Sequence, residues 1–398
     1  MYTNNMEFPK DFLWGTATSA HQIEGNNTNS DWWRWETSDK ETGHKPSEPS
    51  GEACDSYNRY TEDFELCQKM NNNAVRISIE WARIEPRQGI FDNKAIEHYK
   101  KVLSSAREKG LKTSVTLHHF TNPIWLAEQG GWLNFSTPGL FAKYAQKCAQ
   151  ELGDLCDFIS TINEPQVYAS MSYIAGIWPP NKKNPLSFLI VQLNMIRAHN
   201  KAYKKIKSVC DKPVGIVKNI SWYEHSSFIF LDTVIAKIAF YMNGNFFLDA
   251  VARCCDFIGL NYYFTNRIVK IRKRNPDTPI NDLGWWINYD GLFKTLMSLK
   301  KYNKPVYVTE NGLADSNDKL RSEFIKKMLL QVHAAISHGV KVKGYFHWSL
   351  LDNFEWHHGF WPRFGLVEID RNDNLKRIPR KSFYDYAEIC KNGIVRGV

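Results

Sequence analysis

Eight short runs rich in β-branched and aromatic residues, at 12–16, 74–81, 113–118, 158–163, 214–218, 257–262, 306–310 and 343–348, recur along the 398 residues of this chain. Between most of them lie segments of 10 to 25 residues whose apolar positions follow helical spacing, among them 93–109, 140–152, 186–208 and 320–338. Strands that alternate with amphipathic helices pair in parallel through right-handed crossovers. Eight such units imply an α/β fold, a single-domain (β/α)8 TIM barrel over residues 1–398. The alternative is an open doubly wound sheet, and no GxGxxG follows the first run to favour it. No internal repeat or composition shift marks a domain boundary, and the Gly- and Pro-rich stretches at 43–51 and 176–185 read as loops over the barrel mouth.

Composition removes several function classes. With 43% hydrophobic and 23% charged residues the chain is globular, not disordered. The net charge of +9 raises the question of a nucleic-acid partner. The basic residues are scattered, however, and the one dense cluster, Lys270-Ile271-Arg272-Lys273-Arg274, reads as a solvated surface strand or loop. No nucleic acid is therefore expected. No apolar run reaches spanning length and residues 1–10 lack an apolar export core, so no membrane partner and a cytoplasmic location are expected. The eight cysteines (54, 67, 148, 156, 210, 254, 255, 390) show no framework spacing and read as reduced thiols. Neighbouring His357-His358 resembles a metal pair, but adjacent side chains rarely converge, and a solvated loop is the better reading. No metal and no cofactor is expected, and the oligomeric state is not legible.

In a parallel barrel, chemistry is done where strands give out into loops at their carboxyl ends. Val306-Tyr307-Val308-Thr309-Glu310 reads as a buried strand that the turn Asn311-Gly312 ends. Phe158-Ile159-Ser160-Thr161-Ile162-Asn163-Glu164 has the same form and is stopped by Pro165. Other strand ends supply Gln22 and Glu24, Arg76 and Glu80, His118-His119-Phe120, Asn261-Tyr262-Tyr263, and His347-Trp348 followed by Asp352, Glu355 and Trp356. Carboxylates, amides, imidazole and indole without a metal cage or phosphate cradle suit a sugar. Two carboxylates are what cleavage of a glycosidic bond requires, one to protonate the leaving oxygen and one to face the anomeric carbon. The 14% aromatic content offers stacking platforms or simply a heavily aromatic core, and only position separates the two.

Three motifs carry a resemblance: Thr161-Ile162-Asn163-Glu164-Pro165, Val308-Thr309-Glu310-Asn311-Gly312, and Trp348-Ser349-Leu350-Leu351-Asp352-Asn353-Phe354-Glu355-Trp356. With Phe8-Pro9-Lys10-Asp11-Phe12-Leu13-Trp14-Gly15 near the start, the chain resembles the family-1 β-glycosidases over nearly its whole length, to about Lys381-Ser382-Phe383. The resemblance implies a retaining β-glucosidase or β-galactosidase on a (β/α)8 barrel, with Glu164 as acid/base and Glu310 as nucleophile. The Glu310 anion, with some desolvation, is expected to hold Glu164 protonated. By the same resemblance Arg76, Asn261 and Tyr263 support the nucleophile. Asn163 meets the 2-hydroxyl, Gln22, His119, Glu355 and Trp356 read other hydroxyls, and Trp348 is the stacking floor. The implied partner is a small-molecule β-glycoside or short β-linked oligosaccharide.

Each residue also has a plainer reading. A lone Glu is usually a surface charge, a lone His a bonded core residue, and Arg76 a structural ion-pair partner. Trp348 could be simple core, Trp125 lies between sugar-site wall and packing, and Glu80 reads as an outer ion pair. Three departures from the family pattern stand out. Phe120 replaces a common Trp, Gln166 replaces a common aromatic, and a shortening concentrated in 221–257 implies a more open mouth. A 6-phospho-β-glycosidase is disfavoured because Glu355-Trp356 stands where those relatives have a small residue. A catalytically silent sugar-binding barrel is disfavoured because both Glu residues are present.

Overall fold

A computed structural model describes residues 5–38, 44–225 and 229–396. Eight parallel strands close into a barrel in chain order: β1 Leu13–Ala17, β2 Ala74–Ser78, β3 Lys112–His118, β4 Phe158–Asn163, β5 Val214–Asn219, β6 Phe257–Asn261, β7 Val306–Asn311 and β8 Val342–Trp348. The last strand pairs with the first, His347 beside Thr16 and Trp348 beside Ala17. The strands' buried apolar runs follow from parallel pairing, which covers both faces of each strand.

The main helices are α1 Ser56–Lys69, α2 Asn93–Glu108, α3 Thr137–Leu152, α4 Pro185–Lys207, α5 Phe230–Phe240, α6 Phe246–Val251, α7 Asp290–Leu299, α8 Arg321–Ser337 and α9 Lys381–Asn392. Their starts follow local chemistry. Asp92 accepts from the Lys94 N–H at 2.7 Å to open α2, and Asn184 accepts from the Leu186 N–H at 2.9 Å beside Pro185 to open α4. The helical segments expected from periodicity agree with α2, α3, α4 and α8 to within about one turn.

Inside the barrel, Phe158, Phe257 and Tyr307 meet with ring centroids 4.9–6.0 Å apart. They lie at or near the amino ends of their strands, so that end is plugged and the cavity opens only at the carboxyl end. Part of the aromatic excess is therefore core. The strand expected at 74–81 ends at Ser78, and Trp81 starts a short helix, Trp81–Ile84. Conversely β7 runs on through Asn311, which the sequence reading placed in a turn. The glycine after it answers to space: a Cβ on Gly312 would fall 1.8 Å from the Trp348 carbonyl oxygen.

A three-stranded sheet, Trp222–His225, Thr265–Val269 and Arg272–Lys273, stands on the rim beyond β5 and β6. The basic cluster is the exposed hairpin of this sheet, as the charge pattern implied. All eight cysteines are unpaired thiols. Among the described residues no helix is long and apolar enough to cross a membrane.

Candidate active site

The carboxyl end of the barrel holds a cavity of about 450 Å³, within the roughly 300–1,000 Å³ usual for small-molecule sites. Gln22, His119, Asn163, Glu164, Tyr263, Glu310, Trp348, Glu355 and Trp356 all line it. Arg76 and Asn261 lie directly beneath, both fully buried. The eleven expected site residues are thus gathered in one place.

Glu310 is the last residue but one of β7, and its carboxylate is held from two sides. The Arg76 guanidinium pairs with Oε1, and the Tyr263 hydroxyl donates to Oε2 at 2.6 Å. Arg76 is fully buried, so removing either member of the pair would strand a charge at a cost of about 3–5 kcal/mol. The other arm of the guanidinium donates to Asn163 Oδ1 at 2.7 Å. Asn163 Oδ1 also accepts from Asn261 at 3.3 Å.

Glu164 follows β4 and is tied to β5 by its backbone N–H, which donates to the Val217 carbonyl at 2.9 Å. Its Oε1 accepts from Asn261 at 2.6 Å and from Asn219 at 3.1 Å. Asn261, expected beside Glu310, therefore gives its side chain to Glu164 and Asn163 instead. It is aimed there by the Thr309 hydroxyl, which donates to Asn261 Oδ1 at 2.7 Å. Burial pushes the Glu164 carboxyl up to about 7, and the neighbouring Glu310 adds to the shift. The order of causes reverses the sequence expectation: desolvation comes first and the charge second.

Glu355 is pushed up to about 8 by burial and by the other two carboxyls. It accepts from Gln22 Nε2 at 3.3 Å. The Ser19 hydroxyl donates to Gln22 Oε1 at 2.6 Å, which fixes the amide's direction. Burial, with Arg76 nearby, holds His119 well below the usual imidazole range, so the ring is neutral. Its Nε2 lies 3.1 Å from Asn163 Nδ2, while Nδ1 has no hydrogen-bond partner among the described residues. Such a buried, unanswered ring nitrogen suits a hydroxyl of a guest molecule. Trp348 and Trp356 lie nearly parallel to the His119 ring, at 6.2 and 6.0 Å between centroids. Phe120, Glu164 and Trp356 all hold left-handed backbones (φ 74°, 43° and 53°), and strain of this kind clusters at functional sites.

Several residues singled out in the sequence lie elsewhere. Glu24 pairs with Arg83 at 2.9 Å outside the cavity. Glu80 accepts from the Thr121 hydroxyl at 2.8 Å and forms no ion pair among the described residues, which corrects the expected outer pair. His118 packs against Trp132, His347 lies 6.0 Å from Tyr386 between ring centroids, and Asp352 pairs with Arg380 at 2.7 Å. Trp125 donates to the Glu85 carbonyl at 2.8 Å and is packing, not wall. His357 and His358, expected in a solvated loop, are half-buried on the cavity wall, and Trp178 donates to His357 Nδ1 at 3.0 Å. Among the described residues no group of three or more His, Cys, Asp or Glu converges as a metal would require.

The sequence reading missed Asn219, Trp178, Tyr223, Asn266, Trp285 and Phe364, all on the cavity wall. It also missed Lys218, fully buried behind Glu164, which donates to Gln166 Oε1 at 3.0 Å. Burial lowers the Lys218 ammonium to about 7. Asn219 was within reach of the same reasoning, since it lies one residue past the fifth run, where a polar side chain at a strand's carboxyl end is a candidate.

Two buried carboxyls across one sugar-sized space at the strand ends of a barrel suit cleavage of a glycosidic bond, the work of a glycoside hydrolase. The sequence model for glycosyl hydrolase family 1 matches residues 4–259 and 252–394, and the chain belongs to that family. It is 33% identical to β-glucosidase A of Thermotoga maritima, over 98% of this chain and 99% of that one. It is 32% identical to a β-galactosidase of Pyrococcus woesei, over 98% of each. Among solved structures, a family 1 β-glucosidase from Thermotoga maritima superposes with a TM-score of 0.94 at 31% identity, covering 99% of this chain and 100% of the other. A β-glycosidase from Pyrococcus horikoshii gives 0.92 at 36% identity, with coverage of 98% and 96%.

Proposed function

We propose that this β-glycosidase is retaining and exo-acting, removing terminal non-reducing β-D-glucosyl residues, with β-D-galactosyl and β-D-fucosyl residues as further substrates. The observation that carries this reading is one hydrogen-bonded chain, Glu310–Arg76–Asn163–Asn261–Glu164, which spans the cavity floor and ends in a carboxyl on each side. Relatives named as β-glucosidases and β-galactosidases support the sugar class.

In the first step Glu310 attacks the anomeric carbon while protonated Glu164 gives its proton to the leaving oxygen. The glycosidic bond breaks and a glycosyl ester forms on Glu310. Esterification removes the Glu310 charge, and one of the two causes that raise the Glu164 carboxyl disappears with it. Glu164 then takes a proton from water, and the hydroxyl oxygen displaces the ester at the anomeric carbon. Two inversions give net retention.

Asn163 would meet the 2-hydroxyl, Gln22, His119, Glu355 and Trp356 the remaining hydroxyls, and Trp348 the ring face. Three carboxyls in one cavity disfavour a 6-phosphorylated sugar, and two placed carboxyls disfavour a silent binding barrel. We read residues 1–398 as one domain, and the shortened 221–257 region as leaving the acceptor side open to short β-linked oligosaccharides. Eight unpaired thiols support a cytoplasmic location. A panel of nitrophenyl glycosides varied in sugar, anomer and 6-phosphate tests the assignment, with proton NMR of the first-formed anomer. Release of the α-anomer first, or activity confined to 6-phosphorylated substrates, would overturn it.

A further inference from the structure

We propose that the face formed by α5 and the 270–274 hairpin docks on an anionic lipid surface, beside the mouth of the sugar cavity. A barrel helix normally turns its apolar stripe inward. In α5 that stripe is only partly covered: Phe240 packs on Trp222 and Asp232 and Ala236 are buried, while Phe230 (80% exposed), Leu231 (57%) and Ile238 (58%) stay outside. Tyr241 and Met242 continue that exposed stripe past the helix end.

The basic hairpin is fastened to the same helix. The backbone N–H groups of Lys270 and Ile271 donate to the Asp232 carboxylate at 2.9 and 2.7 Å. This anchoring sets Ile271, itself 57% exposed, close to the start of α5. The same helix and hairpin carry Lys237, Lys270, Arg272, Lys273 and Arg274, all exposed and none in an ion pair among the described residues. Residues 233–248 and 268–276 contain no carboxylate, and the one acid of α5, Asp232, is turned inward and engaged.

Apolar tips and cations on one helix and hairpin match a bilayer surface, where side chains enter the acyl boundary and ammonium and guanidinium groups meet lipid phosphates. A second copy of this chain fits poorly, because a two-fold contact would set these cations against their own copies. Lys273, Tyr223 and Asn266 belong to the rim sheet and also line the cavity, so the docked face lies next to the sugar mouth.

The test is co-sedimentation of the full chain with phosphatidylcholine vesicles, with and without phosphatidylglycerol, at low and high salt. Binding should require phosphatidylglycerol and weaken with salt. The double variants Leu231→Ser/Ile238→Ser and Lys270→Glu/Arg272→Glu should each lower partitioning by about tenfold. An unchanged melting temperature shows that the variants are folded, independently of any glycosidase activity. The proposal is overturned if the unaltered protein ignores anionic vesicles at low salt. It is equally overturned if neutral vesicles bind as well, if folded variants of both kinds partition like the parent, or if the same substitutions abolish only a dimer seen by sedimentation velocity.

Discussion

Glu310 and Glu164 lie at the carboxyl ends of β7 and β4, three strands apart around one barrel, and both are buried, yet their donors differ in kind. Glu310 receives a guanidinium and a phenol. Among the described residues Glu164 receives the amides of Asn261 and Asn219 and no cation. At Glu164 the amides offset only part of the desolvation, and the carboxyl drifts up to about 7. The two carboxyls thus differ in the donors they meet, and that asymmetry is what the proposed roles of nucleophile and acid call for.

The largest effect should come from Glu310→Ala, which removes the proposed nucleophile. A loss approaching roughly 10⁶-fold in kcat is expected, the scale on which a deleted nucleophile acts; retention of turnover within tenfold would dismiss the assignment. Glu164→Ala should lower kcat/KM by about 10²- to 10⁴-fold on alkyl glycosides. On nitrophenyl glycosides, whose leaving group needs no proton, the loss in the bond-breaking step should be smaller, and equal losses on both would remove Glu164 as the acid.

Tyr263→Phe takes one donor from Glu310 but leaves the cation. A hydrogen bond to a charged group contributes about 1.5–3 kcal/mol, so kcat/KM should fall by about 10- to 150-fold. Asn219→Ala acts on the other side of the comparison. Its amide favours the ionised form of Glu164, so its loss raises that carboxyl further, and the alkaline limb of the kcat/KM profile, near pH 7 for the parent, should move to higher pH. A shift to lower pH would show that the limb belongs to another group.

Lys218→Met should have the smallest effect on turnover and a distinctive one on stability. Burial depresses the folded ammonium to about 7, against an ordinary value of 10.5. The unfolded chain therefore binds the extra proton between these values, and the parent gains stability as pH rises through them. Thermal melts should show the Met variant above the parent at pH 7 and below, with the advantage fading toward pH 10.5; a constant difference would argue against a buried cation.

Most of the barrel was legible because parallel strands covered on both faces leave continuous apolar runs, and such runs survive in the sequence as a pattern. The second run failed at its end because Ile79 and Trp81 extend the apolar pattern into a helical turn. The site was legible wherever a polar residue closed a run, but alternation along a strand made decoys of its neighbours. His118 and His347 turn away from the cavity that His119 and Trp348 line, one residue on. Asn261 was placed on the right strand and given the wrong partner, since sequence reports position and not the direction of an amide. Trp285, Phe364 and Trp178 arrive from loops distant in sequence, and no local pattern announces which loop residues reach the mouth.

The seam between β8 and β1 joins the two ends of the chain, and the Tyr386 hydroxyl donates to the Gly15 carbonyl at 2.9 Å across it. A ribosome-bound chain that has exposed Glu164 and Glu310 still lacks the strand and the loop that bring Trp348, Glu355 and Trp356. Until that strand emerges, the first one waits with an unpaired edge, the kind of surface that recruits stray partners. A growing chain is therefore most in need of shelter until Val342–Trp348 has emerged.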